Sequence, residues 1–525
     1  MTEQSENSIL AAIDIGSNSI RMALAQQLPD GTLEIFERLH RVLHLGQDVF
    51  LRGRIGAQSM RTAVAILSDY RQLIDRYGVV QTRVVATSAL REAGNADNFL
   101  DRVFLATGLS IEIIDIVEEI RLTLSAVRRM TPDSLKLDRG HSLLVEPGGG
   151  NTIFAFLENG EIDYIHSILS LGTIRMTECL FTGDESPNRR VEILTEQIRS
   201  FIGTSQILPK LQLCGTMVVV GSDARFAAKQ KGFVADPGTA ETPTSANSVA
   251  KNVSASDLDL LIRECAEEPS DRLARRFHLE FFETETLLPA LIICRELLAR
   301  TACPAMTVSP TSIRDGVLAD IILSTSQSAE SIRFEESRQS ARAVAQRYRV
   351  DAQHAAGVAT VALQIFDRLQ NDHGLGSRER LLLELAAILH ESGTIVSSNS
   401  WHKHSYYLIS HSDIFGLSRE EIRTLSHIAR YHRRSPPKPN HTDFRNLPRA
   451  TRVLIWKLAS MLRVADLLAP QRGVQPGRFR FDHKGDEFII TDSEAVDPDI
   501  EERILSAESD MFEDVFGLRL RIENR

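Results

Sequence analysis

Residues 12–24 read AAIDIGSNSIRMA, an apolar strand that delivers Asp14 at its tip and then enters the small polar loop Gly16-Ser17-Asn18-Ser19. Such a loop suits an anion. Glycine lets the backbone approach closely, a tight turn can point successive N–H groups inward, and Ser17, Asn18 and Ser19 add side-chain donors. Asp14 stands where a carboxylate could hold a hydrated divalent cation against phosphate oxygens. Residues 142–156, SLLVEPGGGNTIFAF, repeat the design: a strand carrying Glu146, then Gly148-Gly149-Gly150, Asn151-Thr152 and a returning strand. Two such loops predict two lobes facing one cleft. A third group, Thr87, Ser88 and Arg91, follows the strand TRVVAT, and loops at the carboxyl ends of α/β strands collect ligands. Arg91 could fork two oxygens of one phosphate. Arg21 and Arg41 are further cationic candidates.

The order of these segments resembles that of a known family. AAIDIGSNSIRM, ATSALREAGNADNF (86–99), IEIIDIVEEIRL (111–122), LVEPGGGNT, SLGTIRMTE (170–178), the run Arg314 to Leu318, AAILHESG (386–393), WHKHSYYLI (401–409) and ARYHRR (429–434) follow one another as in the Ppx/GppA phosphatases. These are the exopolyphosphatases and guanosine pentaphosphate phosphohydrolases. The resemblance implies an α/β, two-lobed actin/Hsp70/sugar-kinase-like fold (ribonuclease H-like and duplicated) over the amino-terminal half. It also implies a hydrolase of phosphoanhydrides using Mg²⁺, with Mn²⁺ as a substitute and K⁺ as an accessory ion. Asp14 and Glu146 would organise the cation, and Gly16, Ser17, Asn18, Ser19, Arg21, Ser88, Gly148, Gly149, Gly150 and Asn151 would hold phosphates. Glu119, the second glutamate of a Glu-Glu-x-Arg motif completed by Arg121, would be the general base, with Arg91 beside the transition state. Inorganic polyphosphate cut from its end is the expected substrate. The alternatives are pppGpp, or binding of either without turnover. A homodimer through the helical half is the family-style expectation.

Two loops depart from the family pattern. The family carries Asp-Ile-Gly-Gly-Gly-Ser and then Thr-Glu, where this chain has Glu146-Pro147-Gly-Gly-Gly-Asn151-Thr152-Ile153. The longer glutamate would displace the cation by about an ångström, a scale at which positioning errors are costly. A later loop reads Gly221-Ser222-Asp223-Ala224-Arg225 in place of a Gly-rich one, and is expected to have lost its phosphate contacts.

The carboxyl half resembles the HD-type helical domain of long members. His354, His390-Glu391 and Asp466 approach its metal set, with Glu391 in place of the usual aspartate, and imidazole with carboxylate suits divalent ions. His402 and His404 lie between them.

These residues need elements to position them. Residues 9–43 alternate as an antiparallel meander with a turn at Pro29-Asp30-Gly31. Helical spacing runs from Ala57 to Tyr77, near Ala96 to Thr107 and from Glu118 to Arg129, and a second lobe opens at Ser142 with the same order. Residues 232–255, rich in Pro, Thr, Ser and Ala, read as a flexible insertion. Residues 330–475 are helical in pattern, and FRFDHKGDEFIIT with FGLRLRI closes the chain in strands. The expected domains are lobe I (1–128), lobe II (129–325), the HD-like helical domain (326–475) and a small α+β domain (476–525).

At 525 residues the chain is too long for one core. Its net charge of −10 argues against a general nucleic-acid binder. A polyanion must therefore meet a local basic track, for which Arg189-Arg190, Arg272 to Arg276, and Arg430 with His432-Arg433-Arg434 and Lys438 are candidates, although such runs commonly serve solubility. The five cysteines lack paired metal spacing and predict reduced, buried thiols. No apolar stretch reaches the roughly 18 residues of a membrane span, and MTEQSENS is unlike a signal peptide, so a cytoplasmic protein without membrane partners is expected.

Overall fold

The computed structural model describes residues 8–28, 32–130, 137–180, 186–230, 250–279, 281–325, 327–397, 399–438, 440–469, 478–493 and 510–524. The expected turn at Pro29–Gly31, most of the stretch 232–255 and the Cys179 side chain lie outside them. The chain divides into units of residues 1–329 and 330–525.

The first unit holds two sheets of matching design. Strands β1 (Ile9–Ile15), β2 (Ser19–Gln27) and β3 (Leu33–Val42) form the antiparallel meander. Strands β4 (Gln81–Ala86) and β5 (Ile111–Ile113) add in parallel, giving the order β3-β2-β1-β4-β5. In the second sheet β6 (His141–Pro147), β7 (Thr152–Glu158) and β8 (Glu161–Ile168) repeat the meander, while β9 (Thr216–Val219) and β11 (Ala305–Val308) repeat the parallel pair. Strand β10 (Lys251–Ser254) then extends the edge. The duplication read from the sequence is therefore structural.

Strand β1 is apolar on both faces because both are covered. Ala11, Ile13 and Ile15 enter the core with residues of helices Ala57–Tyr77 and Ala96–Thr107, whereas Leu10 and Ala12 meet Leu122, Val317 and Leu318. Alternation along a strand puts Asp14 on the second face. Helices Ile116–Met130 and Ile313–Thr325 follow β5 and β11 and cross there. A Cβ on Gly316 would lie 2.0 Å from the Leu122 carbonyl oxygen, so the crossing requires glycine.

In the second unit, helices Ala352–Arg368, Ser377–Leu389, Arg419–Tyr431 and Arg449–Leu468 contribute Val358, Phe366, Leu385, Ile428 and Leu462 to one core. Strands β12 (Phe479–Lys484), β13 (Glu487–Asp492) and β14 (Arg519–Asn524) form a small sheet, and Phe479, Phe488 and Ile490 enter that same core. Among the described residues no helix is long and apolar enough to cross a membrane. Cys214, Cys265 and Cys294 are buried free thiols.

Candidate active site

The two glycine loops have one construction. In the first, the Gly16 N–H donates to the Ser19 carbonyl at 3.0 Å; in the second, the Gly148 N–H donates to the Asn151 carbonyl at 2.8 Å. The equivalence pairs Asp14 with Glu146 and Ser17 with Gly149. The Ser17 carbonyl accepts from the Gly46 N–H, and the Gly149 carbonyl from the Ile174 N–H, each at the start of the helix after the third strand of its lobe. One N–H of each loop is thus spent on closing the turn, a departure from a nest with every donor facing inward.

The loops also meet each other. A Cβ on Gly149 would sit 3.1 Å from the Ser17 Cβ, and one on Gly150 would sit 2.8 Å from the Ser88 hydroxyl and 2.4 Å from the Phe50 ring. Ser17 and Ser88 share a hydrogen bond of 2.9 Å. The glycines are needed for this close approach as much as for anion contact.

Together the loops border a cavity of about 130 Å³. Asp14, Gly16, Ser17, Asn18, Ser19, Arg21, Ser88, Glu119, Glu146, Gly148, Gly149 and Asn151 all line it, as the sequence led one to expect. Gly150 and Arg91 lie beside it. The Gly150 carbonyl accepts from Arg175, and Arg91 donates through Nη1 to Glu119 Oε2 at 2.7 Å and to the Ile114 carbonyl at 2.8 Å. Arg91 therefore holds the glutamate. Arg41 is exposed, with Nη1 on the His40 carbonyl.

Arg121 works elsewhere. It donates to Glu118 at 2.7 and 2.8 Å and to Asp320 at 2.9 Å, and Arg83 joins the same two acids. The Glu-Glu-x-Arg segment thus divides by helix face: Glu118 and Arg121 tie the crossing helices together, while Glu119, with Thr123 one turn on, faces the cleft.

Asp14, Glu119 and Glu146 share the cavity, and all three carboxyl groups are raised. Loss of bulk water is the largest cause, and each feels another's negative charge in the cases of Glu119 and Glu146. Glu146 reaches about 8, although Thr123 Oγ1 donates to its Oε2 at 3.1 Å and Arg225 offers positive charge. Three acids in one confined space fit a divalent cation, which favours their ionised forms together. Asp14 and Glu146, at equivalent positions of opposing loops, could offer it oxygen ligands.

Several participants were not singled out from sequence. Arg314 is buried, its Nη1 3.6 Å from Asp14 Oδ2, with Nε and Nη1 lacking hydrogen-bond partners. It lies in the first turn of helix Ile313–Thr325, where a cation opposes the helix dipole; that misplacement was the available signal. Its neighbour Asp315 accepts from the Ser312 N–H and hydroxyl and pairs with Arg38 at 2.6 Å. Glu283 and Thr286, from helix Phe281–Leu298, also line the cavity and left no local signature. The loop from Gly221, expected to have lost its phosphate contacts, still borders the cavity through Gly221, Ser222 and Asp223. Arg225, in the first turn of the helix Ser222–Gln230 that these residues open, acts on Glu146.

The basic runs resolve into ordinary contacts. Arg189 pairs with Glu192, Arg190 caps the Ala266 carbonyl, and Arg276 pairs with Glu264 and Glu268. Arg433 stacks on Trp401, while His432 is buried and so leaves the surface track. In the second unit the expected residues do converge. His354 Nε2 and His390 Nε2 lie 3.5 and 3.3 Å from Asp466 Oδ1, and Glu391 joins the two histidines within 4.8 Å.

The chain is similar to known proteins in sequence and fold. The sequence profile of the Ppx/GppA phosphatase family matches residues 24–325, and that of Ppx/GppA phosphatase, domain III, matches residues 337–491. A Vibrio parahaemolyticus protein named guanosine-5′-triphosphate,3′-diphosphate pyrophosphatase is 26% identical over 434 residues, 82% of each chain. A Photobacterium profundum protein of the same name is 23% identical over 85% of each. Among solved structures, the Aquifex aeolicus Ppx/GppA family member superposes with a TM-score of 0.50 at 26% identity, over 61% of this chain and 99% of that one. An exopolyphosphatase from Cytophaga hutchinsonii gives 0.53 at 18% identity, over 60% and 98%, a likeness of fold.

Proposed function

The chain belongs to the Ppx/GppA phosphatase family, and on that premise we propose that it hydrolyses the terminal phosphoanhydride bond of inorganic polyphosphate with Mg²⁺. The observation that carries this reading is the meeting of Asp14, Glu119 and Glu146 in one cavity walled by two equivalent glycine loops.

Phosphoryl transfer needs positioning and charge neutralisation more than covalent help. The hydroxyls of Ser17, Ser19 and Ser88 and the backbone of both loops would hold the terminal phosphates. Arg21 and Arg314 set positive charge on the Asp14 side and Arg225 on the Glu146 side. Mg²⁺, held by Asp14 and Glu146, would supply neutralisation of the phosphate oxygens. Glu119, raised toward neutrality by burial yet held ionisable by Arg91, takes a proton from water as its oxygen bonds to the terminal phosphorus. The bond to the bridging oxygen breaks, and the electron pair leaves with a chain one phosphate shorter.

Polyphosphate fits because, beside Pro147, Ile153 and Ile313, the lining is loop backbone, hydroxyls and charged groups, which grip phosphate without needing a base. A second reading, pppGpp 5′-phosphohydrolysis by the same residues, is favoured by the names of the similar Vibrio and Photobacterium proteins. Phosphate release from long-chain polyphosphate and from pppGpp, assayed side by side with Mg²⁺, separates the two. Faster release from polyphosphate is expected; release from pppGpp alone would favour the second reading, and tight binding without release would reject hydrolysis.

A further inference from the structure

Thr123 stands in the interior of helix Ile116–Met130, one turn after Glu119, and is fully buried. Threonine is a poorer helix former than alanine, and its hydroxyl costs free energy in the interior unless it is bonded. The usual remedy is the carbonyl four residues back. Thr107, Thr360 and Thr424 take it, donating to the carbonyls of Val103, Ala356 and Glu420 at 2.7, 2.8 and 2.8 Å. Thr123 leaves its own helix instead, and its Oγ1 donates to Glu146 Oε2 at 3.1 Å.

Glu146 lies near the end of β6, where pairing with Ile153 fixes its backbone but leaves the side chain its torsions. The hydroxyl takes up Oε2, and among the described residues Oε1 accepts no hydrogen bond. Glu119 is treated alike, with Arg91 on its Oε2, and Asp14 turns Oδ2 toward Arg314 Nη1 at 3.6 Å. Each of these acids thus has one oxygen engaged by the protein and the other left. Thr123 does not itself border the cavity, so a ligand there meets it only through Glu146.

We propose that Thr123 is a positioning residue that makes Glu146 a one-oxygen ligand and thereby selects Mg²⁺ over Ca²⁺, an inference that rests on the reading that Asp14 and Glu146 hold the cation. Mg²⁺ binds through few carboxylates, keeps several waters and demands near-octahedral order, which single oxygens satisfy. Ca²⁺ is larger, takes more oxygens and accepts both from one carboxylate. A hydroxyl on Oε2 opposes that second mode. Glutamate also has one more torsion than the aspartate of the family pattern, and the same hydrogen bond restrains it.

The test reads cation affinity rather than activity: the Tm of the full chain is followed at fixed pH as Mg²⁺ or Ca²⁺ is added, and apparent affinities are taken from the gain. Glu146→Gln isolates the part of each gain that belongs to the cleft. Thr123→Val, close in shape and lacking the hydroxyl, should weaken the Glu146-dependent binding of Mg²⁺ about tenfold, the lower end for a lost partner of a metal ligand. It should bind Ca²⁺ as well as the wild type or better. Thr123→Ser restores the donor and should restore the wild-type preference. Should the valine variant fold poorly, Thr123→Ala, with the better helix former, is read in its place. Equal weakening of both cations, or no change in either, would overturn the selection and leave a structural hydrogen bond. A wild type that gains no more from Mg²⁺ than Glu146→Gln would overturn the cation reading itself, and this inference with it.

Discussion

Arg91 Nη1 lies 2.7 Å from Glu119 Oε2 and 2.8 Å from the Ile114 carbonyl, so one guanidinium nitrogen ties the glutamate to the end of β5. The arginine fixes where Glu119 points, and its charge offsets part of the burial that raises the carboxyl group. In the proposed mechanism its contribution runs through Glu119.

Arg91→Lys is still not conservative, because its ammonium, although able to donate twice, stands on a shorter and more flexible stem and cannot reach the Nη1 position between Glu119 and the Ile114 carbonyl without displacing the glutamate. Turnover should fall by up to about 100-fold, the scale of an ångström's misplacement. Arg91→Gln removes the charge as well, so the acid limb of the pH–rate profile should move to higher pH as Glu119 rises further. A profile that keeps its acid limb would assign Arg91 a structural role only.

If Glu146 holds Mg²⁺ as proposed, it links pH, stability and the cation. Loss of bulk water, then the charge of Glu119, lifts its carboxyl from an ordinary 4.5 to about 8. The folded chain thus holds a proton that the unfolded chain releases. The associated stability is complete below about pH 4.5 and is lost as the pH rises through about 8. In metal-free protein Tm should decline across that window, and the gain in Tm on adding Mg²⁺ should grow with pH as cation replaces proton. Glu146→Gln should flatten both trends; an Mg²⁺-induced gain independent of pH would contradict the assignment.

Gly316→Ala tests the helix crossing that positions both Glu119 and Arg314. The added Cβ would meet the Leu122 carbonyl oxygen at 2.0 Å, and backbone cannot rotate aside as a side chain can. Urea unfolding should report a loss of about 3 kcal/mol, the upper range for overpacking. A loss within error of zero would mean the helices can separate at little cost.

Local patterns made Asp14, Glu146 and both glycine loops legible in the sequence, because a strand, its terminal acid and the following turn are contiguous. The repeated meander was legible for the same reason. Arg314, Glu283 and Thr286 were not, since only the crossing helices and the folding of distant segments bring them to the cleft. Glu118 and Arg121 share a motif with Glu119, yet helical geometry turns them toward Arg83 and Asp320. His432 was hidden in a charged run, and its burial depends on three other helices.

Central to the account is the role of Glu119 as the base that receives the proton of the attacking water. The most direct measurement is steady-state phosphate release by Glu119→Gln with Mg²⁺, alongside its affinity for the same substrate. The account predicts retained binding and a turnover lower by about 100-fold or more, the range for a positioned general base. Wild-type turnover by Glu119→Gln would contradict it.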